Sequence, residues 1–474
     1  MADKEQKTQV AVIGAGPGGY AAAFMAADLG MKTALIDPEP DPGGVCLYRG
    51  CIPTKALLNV VRVKAEIKNA AQWGVSFGSP EIDIEKLRSW KNGVVKKLTR
   101  GVGQLVSARK ILYIRGRGRF VSPDRLRIEE GGAKQRTLSF DHTIVATGAR
   151  PAPLGELRFD NKRVFDSSRA LELEEIPETM LVVGGGYIGL ELGSVYASLG
   201  TRVSIVEMMS GILPGADRDL VSVFTRSSEK SFEKIMVDTR AEFDVGDQGV
   251  RAVMESGDGE RNEQIYDTVL VTVGRVPNSE HIGLEEADVR TDEHGFVRVD
   301  EQQRTSQPNI FAIGDVAGAP LLAHKATHEG RVAAEAAAGE KTAFDARVIP
   351  SVEYTDPEIA WCGLTETEAG QTNRSIRMTA FNWKASGRAQ TLGRQDGLTK
   401  LIIDPETDRI LGAGIVGPGA GELISECALA IEMSARVSDL ALTIHPHPTL
   451  AETIMEAAEL YYGTATHLYR PRRK

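Results

Sequence analysis

Two stretches of this chain, 170 residues apart, repeat one unit. Val10-Ala11-Val12-Ile13 is a short, continuous apolar run of the kind a buried parallel strand shows. It leads into Gly14-Ala15-Gly16-Pro17-Gly18-Gly19, then an alanine-rich helical stretch from Tyr20 to Leu29, with Gly30 at its C-cap. The strand Thr33-Ala34-Leu35-Ile36 follows and ends on Asp37. The second copy reads Met180-Leu181-Val182-Val183, Gly184-Gly185-Gly186-Tyr187-Ile188-Gly189, a helix to Leu199, Gly200, and Arg202–Val206 ending on Glu207. Gly14, Gly16, Gly19, Gly30 and Asp37 therefore answer to Gly184, Gly186, Gly189, Gly200 and Glu207. Glycines at this spacing let the backbone approach a pyrophosphate at a helix N-terminus, and the acid suits a ribose hydroxyl. A chain carrying the unit twice is expected to build two such layers and to bind two dinucleotides.

The rest of the chain organises around these units. At 474 residues it is too long for one core, and about three domains are expected. Thr143–Ala146 running into Thr147-Gly148, and Asn309–Ile313 running into Gly314-Asp315, read as further strands of the first unit. An acid at the carboxyl end of a strand is where open α/β sheets bind ligands. The second unit then looks inserted into the first and closes near Val269–Asn278. From about Ile349 the pattern changes. Leu398–Ile403 and Arg409–Val416 suggest antiparallel strands about a turn at Asp404-Pro405, followed by helices over Glu422–Met433 and Ala451–Tyr461. The predicted class is α/β: two Rossmann-like domains, one inserted in the other, plus a C-terminal α+β domain. Boundaries fall at 1–150, 151–277, 278–348 and 349–474.

Glu207 would repel a 2′-phosphate, and Met208-Met209-Ser210 supply no arginine to hold one, so NAD is preferred over NADP. About thirty residues after the first glycine turn stand Cys46 and Cys51, in Gly43–Lys55. A disulfide between them would close a loop of about six residues for roughly 2 kcal/mol of chain-entropy stabilisation, a poor structural staple. A redox disulfide is the favoured reading, with metal ligation and inert thiols as the alternatives. A helix starting at Pro53 would set Cys51 at its positive end and lower its thiol pKa. No second cysteine pair or nearby histidine completes a zinc site, and no metal is expected. Flavin takes a hydride on one side and engages a thiol on the other, so FAD is assigned to the first unit and NAD to the second.

Composition narrows the partners. A net charge of −9 and a pI near 5.6 argue against a nucleic-acid surface. The basic run Arg470–Lys474 reads as a solvated tail. No apolar stretch reaches the roughly 18 residues a membrane span needs, and Met1–Lys7 resembles neither a signal nor a transit peptide. A cytoplasmic location is expected, where a disulfide is more often catalytic than structural. Cys362 and Cys427 read as small buried hydrophobes.

GGVCLYRGCIPTK, GGGYIGLELG, GRVPN, NIFAIGDV, LAHKATHEG and HPHPTLAE occur in an order that resembles the flavin disulfide reductases, and among them the dihydrolipoamide dehydrogenases. The resemblance covers essentially the whole chain. It implies that Cys46 exchanges with a dithiol substrate and that Cys51 is the thiolate against the flavin. Lys55 would sit near the flavin, paired with Glu191. Thr147, Gly148, Asp315, Leu322 and Ala323 would line the FAD site, and Tyr187, Gly274 and Arg275 the NAD site. His447 would be the general acid/base, oriented by Glu452, since a dithiol must lose a proton before it attacks. His445 is read as structural.

The resemblance further implies a homodimer with shared active sites, in which this histidine reaches the partner's disulfide. Lipoyl domains of acyltransferases or of glycine-cleavage carriers would be its docking partners. Three rivals stand beside this reading: an NADPH-dependent disulfide reductase, an assembly component valued for docking, and a flavoprotein with an inert disulfide. A mercuric reductase is disfavoured, because Tyr461-Tyr462-Gly463-Thr464 carries no adjacent cysteine pair.

Overall fold

In a glycine turn of this type the strand end, the turn and the helix start crowd into a few ångströms, and only residues without a Cβ fit. The computed structural model, which describes residues 6–131, 135–155, 157–228 and 231–469, shows this twice. Gly14 has φ +98°, and a Cβ there would lie 2.3 Å from the Ala146 carbonyl oxygen. Gly184 has φ +106°, and its Cβ would lie 2.6 Å from the Thr272 oxygen. Both are left-handed positions that any side chain would strain.

The strand Gln6–Ile13 pairs in parallel with Thr33–Asp37 on one side and Gln135–Val145 on the other. Leu112–Arg115 extends one edge, and Arg125–Glu129 and Arg117–Ser122 the other, antiparallel. The short strand Ile310–Ala312 returns to this sheet and pairs in parallel with Gln135–Val145. Between these partners the chain builds a second, all-parallel sheet, ordered Lys234–Met236, Arg202–Val206, Thr179–Val183, Thr268–Val271 and Val164–Phe165. Their buried apolar runs are what a parallel sheet covered on both faces requires. A three-stranded antiparallel ribbon, Thr239–Gly246, Gly249–Ser256 and Arg261–Tyr266, joins this layer and was not expected.

The C-terminal part is a five-stranded antiparallel sheet containing the expected Leu398–Ile403 and Ile410–Val416 pair. The helices Ala420–Glu432 and Glu452–Tyr462 cover it, and a short helix, Val437–Leu442, lies between them unpredicted. Cys362 and Cys427 are both buried in this core, and burial pushes the Cys362 thiol up to about 12, as inert packing residues require. The run Arg470–Lys474 lies outside the described residues. Among those residues no helix is long and apolar enough to cross a membrane.

Two contacts position the site. The first glycine helix, Pro17–Asp28, crosses the helix Ala323–Ala337 so closely that a Cβ on Gly330 would sit 2.5 Å from the Gly18 oxygen. The helix Cys51–Asn69 packs on Tyr187–Leu199, and one apolar cluster runs through Leu57, Leu190 and Val195 to Val416 of the C-terminal sheet. The three layers thus meet on one core.

Candidate active site

The cysteine stretch is pinned to the first glycine turn. Gly43 donates its N–H to the Ala15 carbonyl at 2.8 Å, and Gly44 packs on Gly16 so tightly that a Cβ would fall 2.5 Å from the Gly16 Cα. A short helix, Gly44–Arg49, carries Cys46, and a second begins at Cys51 itself, two residues earlier than Pro53. Gly50 caps it: its carbonyl accepts from the Thr54 N–H and, at 2.7 Å, from the Thr54 hydroxyl. Cys51 is therefore the first helical residue, in the positive field of the helix end.

The Cys46 and Cys51 thiols interact directly with each other. Their shared hydrogen bond splits them: it pulls Cys51 down to about 7 and pushes Cys46 up, where burial adds to it. The Lys55 ammonium further favours the Cys51 thiolate. Lys55 stands one helical turn on, and its Nζ meets the Glu191 Oε1 and Oε2 at 2.8 and 2.9 Å. Glu191 is 2% exposed, so the two form an interior ion pair between two layers rather than a surface one.

Tyr354, which no sequence pattern marks, joins this pair. Its N–H donates to Glu191 at 3.0 Å, and its ring lies 4.6 Å from the Lys55 ammonium. No sequence spacing links it to either partner. It reaches them from the C-terminal part, just past the strand Ser351–Glu353.

These groups open on a cleft of about 1000 Å³, at the upper end for a small-molecule site. Gly14, Gly16 and Gly19 line it, as do Thr147 and Gly148. Asp37 lines it too, accepting from the Ala15 and Glu39 N–H groups at 2.7 and 2.9 Å. Burial pushes the Asp37 carboxyl up against the pull of the Ala15 N–H and of Arg49. Cys46, Cys51, Lys55, Glu191 and Asp315 form its other end. Burial raises Asp315 as well, countered by Arg275, whose Nε lies 3.8 Å away. Ala323 is in the wall, while Leu322 is the N-cap of the helix Ala323–Ala337.

The second set of residues divides. Tyr187 and Arg275 line this same cleft, and burial pushes the Tyr187 hydroxyl up to about 12. Gly184, Gly186 and Gly189 form the turn ahead of the helix Tyr187–Leu199. Glu207 accepts from the Gly185 and Met209 N–H groups, both at 2.7 Å, repeating the Asp37 arrangement. Gly274, at φ +138°, accepts from the Ala152 N–H just before Arg275.

His447 and Glu452 stand apart from the cleft wall. The His447 Nδ1 lies 2.8 Å from the Glu452 Oε1, and the imidazole is 69% exposed. Burial would raise the Glu452 carboxyl, but the Thr449 N–H and His447 hold it below its ordinary range. His445 is held twice, by Glu426 at 2.8 Å and by the Thr443 carbonyl at 2.9 Å, a structural placement. Among the described residues the one carboxylate cluster with metal-ligand spacing is Asp217, Asp219 and Glu366. The Lys400 ammonium occupies it, bonded to all three, so it holds a cation already.

Residues 8–330 match the model of the pyridine nucleotide-disulphide oxidoreductases, and residues 349–458 that of their dimerisation domain. The chain belongs to this family. It is 47% identical to a dihydrolipoyl dehydrogenase of Vibrio parahaemolyticus over 98% of both chains. It is 48% identical to one of Thermus scotoductus over 96% of this chain and 98% of that one. Among solved structures it resembles LpdA of Mycobacterium tuberculosis, with a TM-score of 0.87 and 26% identity over 96% and 99% of the two chains. RclA, an HOCl-induced flavoprotein disulfide reductase of Escherichia coli, gives 0.84 and 26% over 95% and 99%. The protein is thus an oxidoreductase with a C-terminal dimerisation domain, and its cofactors are FAD and NAD. The turn at Gly14–Gly19, with no room for a Cβ at Gly14 or Gly19, and a cleft running from Asp37 to Cys51 fit an extended dinucleotide.

Proposed function

We propose that this protein oxidises protein-bound dihydrolipoamide to lipoamide with NAD as acceptor, serving 2-oxo acid dehydrogenase or glycine cleavage complexes in the cytoplasm. What carries the reading is the asymmetric pair Cys46–Cys51 beside the Lys55–Glu191 ion pair, in a chain 47% identical over its length to a dihydrolipoyl dehydrogenase. The domains run 1–150 for FAD, 151–277 for NAD, 278–348 completing the FAD site, and 349–474 for the dimer.

The residues divide the work. Gly14, Gly16, Gly19 and Asp37 hold the FAD pyrophosphate and ribose; Thr147, Gly148, Asp315 and the backbone at Leu322-Ala323 hold its ring end. Gly184, Gly186, Gly189, Glu207, Gly274 and Arg275 hold NAD, with Tyr187 over the nicotinamide pocket. When bound, FAD and NAD supply two-electron transfer from the dithiol pair to the nicotinamide. In the homodimer, His447 of one subunit faces the cysteines of the other. Its Nε2 takes a thiol proton from the substrate, while Glu452 at Nδ1 fixes the tautomer and balances the imidazolium. The substrate thiolate attacks the Cys46 sulfur of the disulfide, and Cys51 leaves as the thiolate, stabilised by Lys55. The second substrate thiol then attacks its own sulfur in the mixed disulfide, releasing lipoamide and leaving the Cys46 thiol.

NAD-dependent turnover of dihydrolipoamide by the purified holoenzyme, with NADH and NADPH compared in reverse, tests the assignment. Faster NADPH turnover would favour a glutathione-type disulfide reductase and sink it. A pull-down with acyltransferase cores tests the docking partner.

A further inference from the structure

One carboxyl beside the redox centre has no part in this scheme. Glu353 ends the strand Ser351–Glu353 and is 5% exposed. Its Oε2 is fully buried and has no hydrogen-bond partner. The strand sets it opposite Ile359, whose side chain offers no polar group. The next residue, Tyr354, is the one bonded to Glu191 and stacked under Lys55, so Glu353 cannot drift from that pair.

The charged and titratable groups around it come from three elements. Glu191 and Tyr187 belong to the helix Tyr187–Leu199, Lys55 to the helix Cys51–Asn69, and Tyr354 follows its own strand. Burial pushes the Glu353 carboxyl up to about 8, the Glu191 charge pushes it the same way, and Lys55 opposes them. A carboxylate charge with one oxygen buried and unpaired is disfavoured in such a place, whereas the acid form is tolerated.

We propose that Glu353 is a positioning residue of the redox centre: its carboxyl stays uncharged beside the Lys55–Glu191 pair, so that Lys55 faces one carboxylate and its charge remains available to the Cys51 thiolate. When Glu353 gives its proton to solvent, no electrons move, but a second negative charge enters the field around Lys55. The Lys55 charge is then shared with a second carboxylate, and the Cys51 thiolate is less favoured. The inference rests on Cys51 being the flavin-side thiolate.

The test compares the holoenzyme with E353Q, which keeps the shape and stays neutral at every pH; E353M replaces it should E353Q not fold. Infrared spectra recorded from about pH 6 to about pH 10 should show a protonated carboxylic acid band that fades near pH 8 and is missing from the variant. Dithionite supplies two electrons, so neither arm depends on the dihydrolipoamide assignment. Over the same range the thiolate–flavin charge-transfer band of wild type should show an inflection that the variant lacks. Absence of the acid band, or superimposable charge-transfer profiles, overturns the proposal. Loss of dihydrolipoamide turnover alone, with both spectroscopic differences intact, would count against the proposed substrate and leave Glu353 in its role.

Discussion

Lys55 answers to Glu191 and to Cys51 at once. Replacing it by methionine leaves Glu191 buried without its counter-charge. Breaking a fully buried pair costs roughly 3–5 kcal/mol; here about 2 kcal/mol is expected, because the Lys55 side chain keeps 30% of its exposure. The same change removes the positive charge that favours the thiolate, so the Cys51 midpoint should rise from about 7, by about one unit. Denaturant unfolding measures the first effect, and the pH dependence of thiolate absorbance in the reduced protein the second. An unmoved midpoint would show that the Cys46 hydrogen bond alone sets the basicity of Cys51.

At the scale of the element, the two glycine turns make separable predictions. A Cβ on Gly19 would fall 1.9 Å from the Gly14 oxygen, and one on Gly189 2.3 Å from the Gly184 oxygen. Gly19→Ala should therefore yield colourless protein that no longer retains FAD. Gly189→Ala should stay yellow but lose NADH-dependent flavin reduction by at least about tenfold, a transition-state loss of about 1.4 kcal/mol. Bleaching by Gly189→Ala would mean the assignments of the two units are exchanged. The strand Leu398–Ile403 carries a different device. Lys400 is 0% exposed and joins Asp217, Asp219 and Glu366, tying the C-terminal sheet to the second nucleotide layer. Lys400→Met should destabilise by roughly 3 kcal/mol near neutral pH, because three carboxylates then repel without a counter-ion. Thermal unfolding of both proteins at neutral pH reads this out.

At the scale of the whole molecule, the proposal that His447 serves the partner's cysteines is open to complementation. Neither C46S nor H447Q homodimers should turn over dihydrolipoamide. In a mixed dimer one site pairs an intact Cys46 with an intact His447. Subunits exchanged at equal amounts should recover about a quarter of wild-type activity, since half the dimers are mixed and each has one good site. Recovery of none would place histidine and disulfide of one site on the same chain.

Much of this architecture was legible because local rules sufficed. The glycine turns, their acids and the cysteine pair are short-range patterns, and each requires a residue type for a steric or electronic reason. Apolar periodicity showed the strands that feed those turns, and even the inward return of Ile310–Ala312 could be read from the acid that follows it. The cysteine helix starts two residues before the position its proline marks, because a glycine cap and a threonine back-bond outweigh a proline signal. The antiparallel ribbon and the helix Val437–Leu442 carry only weak patterns. What no stretch of sequence could show is which side chains from distant segments share a desolvated space. Tyr354 and Glu353 stand more than 160 positions from Glu191, and Lys400 lies about as far from Asp217 and Asp219. Periodicity marks a position as buried, but whether a charge buried there finds a partner is decided only when separate layers close on one core.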